Sequence, residues 1–198
     1  MSSDGVNRGR RQFLTAATSA VGVAGVVGVA VPFVGSWNPS AQARAAGAPV
    51  KADVSKIEPG QMVVVEWRGK PVYVMRRTPE QLEGLAELDG KLKDPESETA
   101  DQPDYISGRE RSIKAEILVM VGLCTHLGCA PKFHPEVGVT AFADESWRAG
   151  FFCPCHGSLF DLSGRVYAGV PASANLVIPP YTFESDAVVV IGVDEGAA

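Results

Sequence analysis

Apolar residues are distributed along this chain in two different ways. From Phe13 to Val34 no residue is charged. As an α-helix these 22 residues would span about 33 Å, the thickness of a bilayer core. Beyond Lys51 the apolar runs shorten and turn residues separate them. "MVVVEW" (62–67) and "PVYVMR" (71–76) are β-rich and flank "RGK", a hairpin pattern. "AEILVMV" (115–121), "RAGFFC" (148–153) and "AVVVIGV" (187–193) predict further core strands. "TPEQLEGLAEL" (78–88) predicts a short helix, with Thr78 as N-cap and Pro79 in the first helical position. Many short strands between turns predict an all-β, antiparallel domain preceded by one N-terminal transmembrane helix.

Two stretches lack periodicity. Residues 35–50, "GSWNPSAQARAAGAPV", are rich in small residues and read as a flexible or extended linker. Residues 89–112 are polar and read as a long surface excursion. The expected organisation is a tail at 1–12, an anchor at 13–34, a linker at 35–50 and a globular domain at 51–198.

Composition narrows the picture. The chain has 198 residues, 45% of them hydrophobic, and a formal charge of −5. With no basic stripe, no nucleic-acid partner is expected. Arg10 and Arg11 precede Gln12, Phe13 and Leu14, the twin-arginine export pattern of bacteria. That route carries folded proteins, which suits one loaded with a cofactor before crossing. A signal peptide has an apolar region of about 7–15 residues, so the longer run here favours an uncleaved anchor. The small residues of "AQARAAGA" (41–48) are the competing sign of cleavage. Arg8, Arg10 and Arg11 before the span keep the N-terminus cytoplasmic, leaving a single-pass protein of the inner membrane with its domain in the periplasm. Ala16, Ala20, Ala24 and Gly28 recur every four residues, a ridge that fits a partner helix or follows from the abundance of Ala and Gly in the segment.

The chemistry lies in two short boxes. "CTHLGC" (124–129) and "CPCHGS" (153–158) hold all four cysteines and two of the three histidines. A structural zinc site takes four ligands and leaves two of these six unused. Haem attachment needs C-x-x-C-H, and the second box is one residue short. Disulfides alone leave both histidines unexplained. A 2Fe–2S centre with two cysteines on one iron and two histidines on the other uses one Cys and one His from each box. The remaining two cysteines could then pair as a disulfide in the oxidising periplasm. Gly128 and Gly157 would give each loop backbone freedom. His134, outside both boxes, reads as a surface or loop histidine.

These boxes resemble the two cluster-binding motifs of Rieske iron–sulfur proteins. The resemblance extends over nearly the whole chain. Residues 51–82 are similar to the stretch after the anchor in proteobacterial ubiquinol–cytochrome c reductase iron–sulfur subunits. "GVPASANLVIPPY" (169–181) is similar to that family's cluster-covering loop. It implies a Rieske antiparallel β-sandwich with a small cluster-binding subdomain at about 122–175. It implies one Rieske-type 2Fe–2S cluster per chain, with Cys124, His126, Cys153 and His156 as ligands and Cys129–Cys155 as a disulfide. His156 would be the catalytic ligand that hydrogen-bonds the quinol, Leu127 part of the apolar docking tip, and Ser158 a donor to a cluster sulfide. The implied function is to take an electron from ubiquinol and pass it to a c-type cytochrome. The implied partners are cytochrome b and c-type cytochrome subunits in a dimeric complex. Two positions depart from the pattern. Phe160 stands where the family often has Tyr, and Ser173 follows Pro171 and Ala172 where it often has a second Pro. The runner-up is the small Rieske subunit of a periplasmic oxidase such as arsenite oxidase. A Rieske oxygenase fails because only His134 is spare for the second iron it needs. The anchor and the disulfide pair speak against a soluble Rieske ferredoxin.

Overall fold

An uncharged run of this length satisfies its backbone polar groups without water only as a helix. The computed structural model describes Gly5 and residues 7–194 and has that helix, α1, at Arg8–Ser36. Asn7 caps it, accepting the backbone N–H of Arg10 at 3.0 Å. The helix exceeds the apolar run at both ends and includes the twin arginines. Its side chains are exposed within the chain. Residues 1–4 and 6 of the expected tail lie outside the described residues. The segment expected to be an extended linker contains a short helix, α2, Ala41–Ala46. Ser40 caps it by accepting the Ala43 N–H at 3.1 Å, and alanine is the strongest helix former.

The chain divides into two units, 1–45 and 46–198. Among the described residues the second holds nine strands in three three-stranded sheets, every pairing antiparallel. β1 (Val50–Asp53), β9 (Val188–Ile191) and β8 (Tyr181–Ser185) form one sheet in that order, so the last strand of the domain lies beside its first. β2 (Met62–Trp67), β3 (Lys70–Arg76) and β4 (Ile117–Val121) form the second. β5 (Lys132–Val137), β6 (Arg148–Cys153) and β7 (Ser158–Phe160) form the third. The β2–β3 turn is the pair Arg68-Gly69, with φ of 52° and 70°, the left-handed pair that matches strand twist in a two-residue hairpin. Val72, Val74, Met75, Leu118, Val119 and Met120 are fully buried, which makes β3 and β4 the centre of the core. α3 (Pro79–Gly84) carries the expected Thr78 cap, completed by Gln81 as a capping box, and runs into a 3₁₀ helix at Leu85–Lys91.

Residues 89–112 are more than a surface excursion. Leu92 and Ile106 are in the core, and Arg111 is fully buried. Three buried arginines converge on the turn after β7. Arg77 donates to the Leu162 carbonyl and the Ser163 hydroxyl. Arg111 donates to the carbonyls of Ser163 and Leu176. Arg165 pairs with buried Asp161 at 2.7 Å and with Asp89 at 2.8 Å. Burial pushes the guanidiniums of Arg77 and Arg111 down to about 10. Each instead satisfies its donors on backbone carbonyls and side-chain oxygens, the condition on which buried charge is tolerated.

Candidate metal centre

The two boxes are built alike. In each, the leading cysteine's carbonyl accepts the N–H of a glycine four residues on, Cys124 from Gly128 and Cys153 from Gly157, both at 2.9 Å. Each turn closes with a glycine in the left-handed region, φ 82° at Gly128 and 78° at Gly157, where a Cβ is penalised. The first box follows β4. The second is the tip of the β6–β7 hairpin, whose last paired rung is Cys153 opposite Ser158. Gly122, at the exit of β4, lies so close to Tyr73 that an added Cβ would sit 2.3 Å from the ring. Tyr73 in turn donates to the Pro131 carbonyl at 2.8 Å, so one residue of β3 braces both ends of the first box.

Cys129 and Cys155 form a disulfide joining the boxes, with their Cα atoms 6.6 Å apart. Cys124 and Cys153 are free and buried. The sulfurs of Cys129, Cys153 and Cys155 all lie within 4.8 Å of one another, but two of the three are bonded together and have no thiolate to offer. Burial pushes the Cys153 thiol up, and neighbouring Cys124 adds to the shift. The backbones of Cys155 and His156 pull the other way by hydrogen-bonding its sulfur. The rings of His126 and His156 approach edge to face, their centroids 4.7 Å apart. Nδ1 of His126 is buried and has no hydrogen-bond partner. An orphaned imidazole nitrogen beside a second imidazole, with two buried free thiols in the adjoining boxes, fits the donor set that a cluster held by two cysteines and two histidines requires. His156 and Leu127 are exposed, Leu127 at 71%.

A covering segment closes over the boxes. Thr125 donates its hydroxyl to the Ala174 carbonyl at 2.5 Å, and Ser173 donates to the Thr125 carbonyl at 3.2 Å. Buried Ser158 accepts the Ala172 N–H at 3.0 Å. The sequence reading did not include Thr125 or Ser173 among the site residues, and only the third dimension brings residues 48 and 49 positions apart together. His134 lies on β5 rather than in a loop. Its ring packs 4.6 Å from that of Phe142, and its Nδ1 lies 3.4 Å from a Glu136 carboxylate oxygen.

Paired strand-end loops carrying thiols and imidazoles define a cluster-binding β domain attached to an apolar helix. Residues 48–182 match the Rieske [2Fe–2S] domain. Residues 1–40 match the family described as the ubiquinol–cytochrome c reductase Fe–S subunit TAT signal. A ubiquinol–cytochrome c reductase iron–sulfur subunit of Allochromatium vinosum is 55% identical, over 100% of this chain and 95% of its own. One of Blastochloris viridis is 46% identical, over 96% and 97%. A solved chain of a hyperthermophilic respiratory Complex III is 30% identical, covers 89% of this chain and 99% of its own, and superposes with a TM-score of 0.48. The chain belongs to the Rieske family, among the iron–sulfur subunits of ubiquinol–cytochrome c reductase.

Proposed function

We propose that this chain is the subunit of a ubiquinol–cytochrome c reductase that takes one electron from ubiquinol and delivers it to a c-type cytochrome. Cys124 and Cys153 would hold one iron of a 2Fe–2S cluster, and His126 and His156 the other. When bound, the cluster supplies one-electron redox chemistry at a potential raised by its imidazole ligands. The observation that carries the ligand set is the unpartnered buried Nδ1 of His126, in the box next to the one that carries His156.

The remaining residues divide the work. His156 is exposed, so the ring nitrogen it does not offer to iron is open to hydrogen-bond the quinol. Leu127, exposed and next to His126 in the first box, would offer apolar contact to the quinol-binding subunit. The disulfide keeps the two ligand boxes together. Thr125, Ser158 and Ser173 fasten the covering segment and limit water access. α1 anchors the chain in the inner membrane, with the domain in the periplasm beside cytochrome b and c-type cytochrome subunits of a dimeric complex. Residues 35–50, the first two of which end α1, tether the domain, and about 122–175 form its cluster-binding part.

Purification of the full chain from detergent-solubilised membranes tests this. The expected result is a Rieske-type EPR signal together with stoichiometric b- and c-type haem subunits. A molybdenum-containing partner, or a chain with zinc and no EPR signal, would overturn it.

A further inference from the structure

Lys93 lies in the irregular segment after the 3₁₀ helix, far from both boxes in sequence. Its ammonium donates to the carbonyls of Val170 at 2.9 Å and Ala172 at 2.5 Å, both in the covering segment. Its backbone N–H donates to the Val166 carbonyl at 3.0 Å. One cation thus fixes two carbonyls on either side of Pro171, and the backbone of Lys93 is itself tied to the chain that leads into that segment.

The consequence reaches the site through Ser158. The Ala172 N–H donates to Ser158 Oγ, and both residues are buried, at 0% and 1% exposure, so water does not compete for that bond. A hydroxyl carries one proton and two lone pairs. With Ala172 occupying a lone pair, the proton is left to donate elsewhere, and among the described residues no protein acceptor for it is found. Ser158 stands opposite Cys153 on the last rung of β6–β7. Directly paired residues of an antiparallel ladder project from the same face, so the free proton lies on the face of the ligand thiol.

We propose that Lys93 is a positioning residue of the redox site: by clamping the Val170 and Ala172 carbonyls it seats the Ala172 N–H on Ser158 and so turns the Ser158 hydroxyl toward the sulfur side of the centre. This rests on the ligand set proposed above. A donor aimed at sulfur stabilises the reduced state more, because reduction adds negative charge. Loosening the clamp frees Ser158 to rotate and lowers the midpoint potential.

Redox-poised EPR on membranes carrying the full chain decides it. Lys93→Met is expected to lower the midpoint potential, Ser158→Ala to lower it at least as far, and the double variant to sit no lower than Ser158→Ala alone. Lys93→Arg, which keeps a cation with donors, should recover most of the shift. An unchanged potential in Lys93→Met overturns the inference. So does a shift of equal size in the Ser158→Ala background, which would mark a bare charge effect. If Lys93→Met does not accumulate, Lys93→Gln in the two backgrounds answers by the same comparison. A wild-type chain without the EPR signal overturns the ligand set and this inference with it, whereas a clear signal with an unresponsive potential overturns this inference alone.

Discussion

The Ser173 hydroxyl donates to the Thr125 carbonyl, and the Thr125 hydroxyl donates back to the carbonyl of Ala174, the next residue along. This reciprocal clasp joins the covering segment to the first ligand box at the position where related chains often carry a proline. The two halves are unequal, because Thr125 is partly buried and Ser173 is exposed. Thr125→Val strands the Ala174 carbonyl and is expected to lower unfolding free energy by about 1–2 kcal/mol. Ser173→Ala should lower it by about 0.5 kcal/mol or less. Denaturant titration of the two variants checks the order, and equal effects would contradict the clasp.

The four proposed ligands make a sharper prediction. Cys124→Ala, His126→Ala, Cys153→Ala and His156→Ala should each abolish the Rieske EPR signal, because each iron has only two protein ligands. The Cys129–Cys155 bond does not depend on them, so thiol counting on the purified variants should still find those two cysteines oxidised. A variant that keeps a full signal would remove its residue from the ligand set.

Loss of the disulfide should be milder at the centre and larger for the fold. The bond spans 26 residues, and chain-entropy arithmetic assigns such a loop about 3.5 kcal/mol. Cys129→Ser and Cys155→Ser are expected to assemble the cluster and then lose it faster, with a lower midpoint of unfolding. Cluster half-life at a fixed temperature, followed by visible absorbance, measures this. An unchanged half-life would show that the boxes are held by the covering segment and the sheet without the bond.

The turns of the two Cys/His boxes, the β2–β3 hairpin and the capped α3 were legible in the sequence because each is set by local chemistry. Arg68-Gly69 has to turn, Thr78-Pro79 has to start a helix, and Cys/His pairs need a metal or a bond. The support behind the site was not legible. Arg77 reaches Ser163 across 86 positions and Arg111 reaches Leu176 across 65. A guanidinium read alone belongs on the surface. The one local sign is "DLSGR": the Asp161 carboxylate accepts the N–H groups of Ser163 and Arg165 and the Arg165 guanidinium, all within five residues. Residues 89–112 read as surface for the same reason. Their polar side chains bond backbone that the sequence cannot place.

Asp89 gives the domain an acid limb. The Arg109 guanidinium, joined by Arg165, holds the Asp89 carboxyl below the usual carboxylate range. A depressed folded-state value means that the unfolded chain binds the proton more readily. The stabilisation is therefore present above the unfolded value of about 4 and is lost as pH falls through the folded one. Asp89→Asn is expected to lower Tm at pH 7 and to flatten its decline toward pH 3. A variant whose Tm falls as steeply with acid as the wild type would assign that limb to other carboxylates.

Phe160 offers a test of how the core sets the potential. It is fully buried, pairs with Phe151 across β6–β7, and shares the core cluster that contains Cys124 and Cys153. Related chains often carry Tyr here, whose hydroxyl can donate to a ligand sulfur. Phenylalanine has no donor, so this chain should run at a lower potential than relatives with Tyr. If such a bond favours the reduced state by about 1 kcal/mol, a one-electron couple moves by roughly 40 mV. Ser158 is retained, and the donor proposed there would keep the potential within reach of quinol. Phe160→Tyr is therefore expected to raise the midpoint potential by a few tens of millivolts, or about 40 mV for one good bond, in redox-poised EPR of the full chain. A midpoint that stays in place or falls would mean that the ring of residue 160 points into the core and away from the sulfur, leaving Ser158 as the donor on that side of the centre.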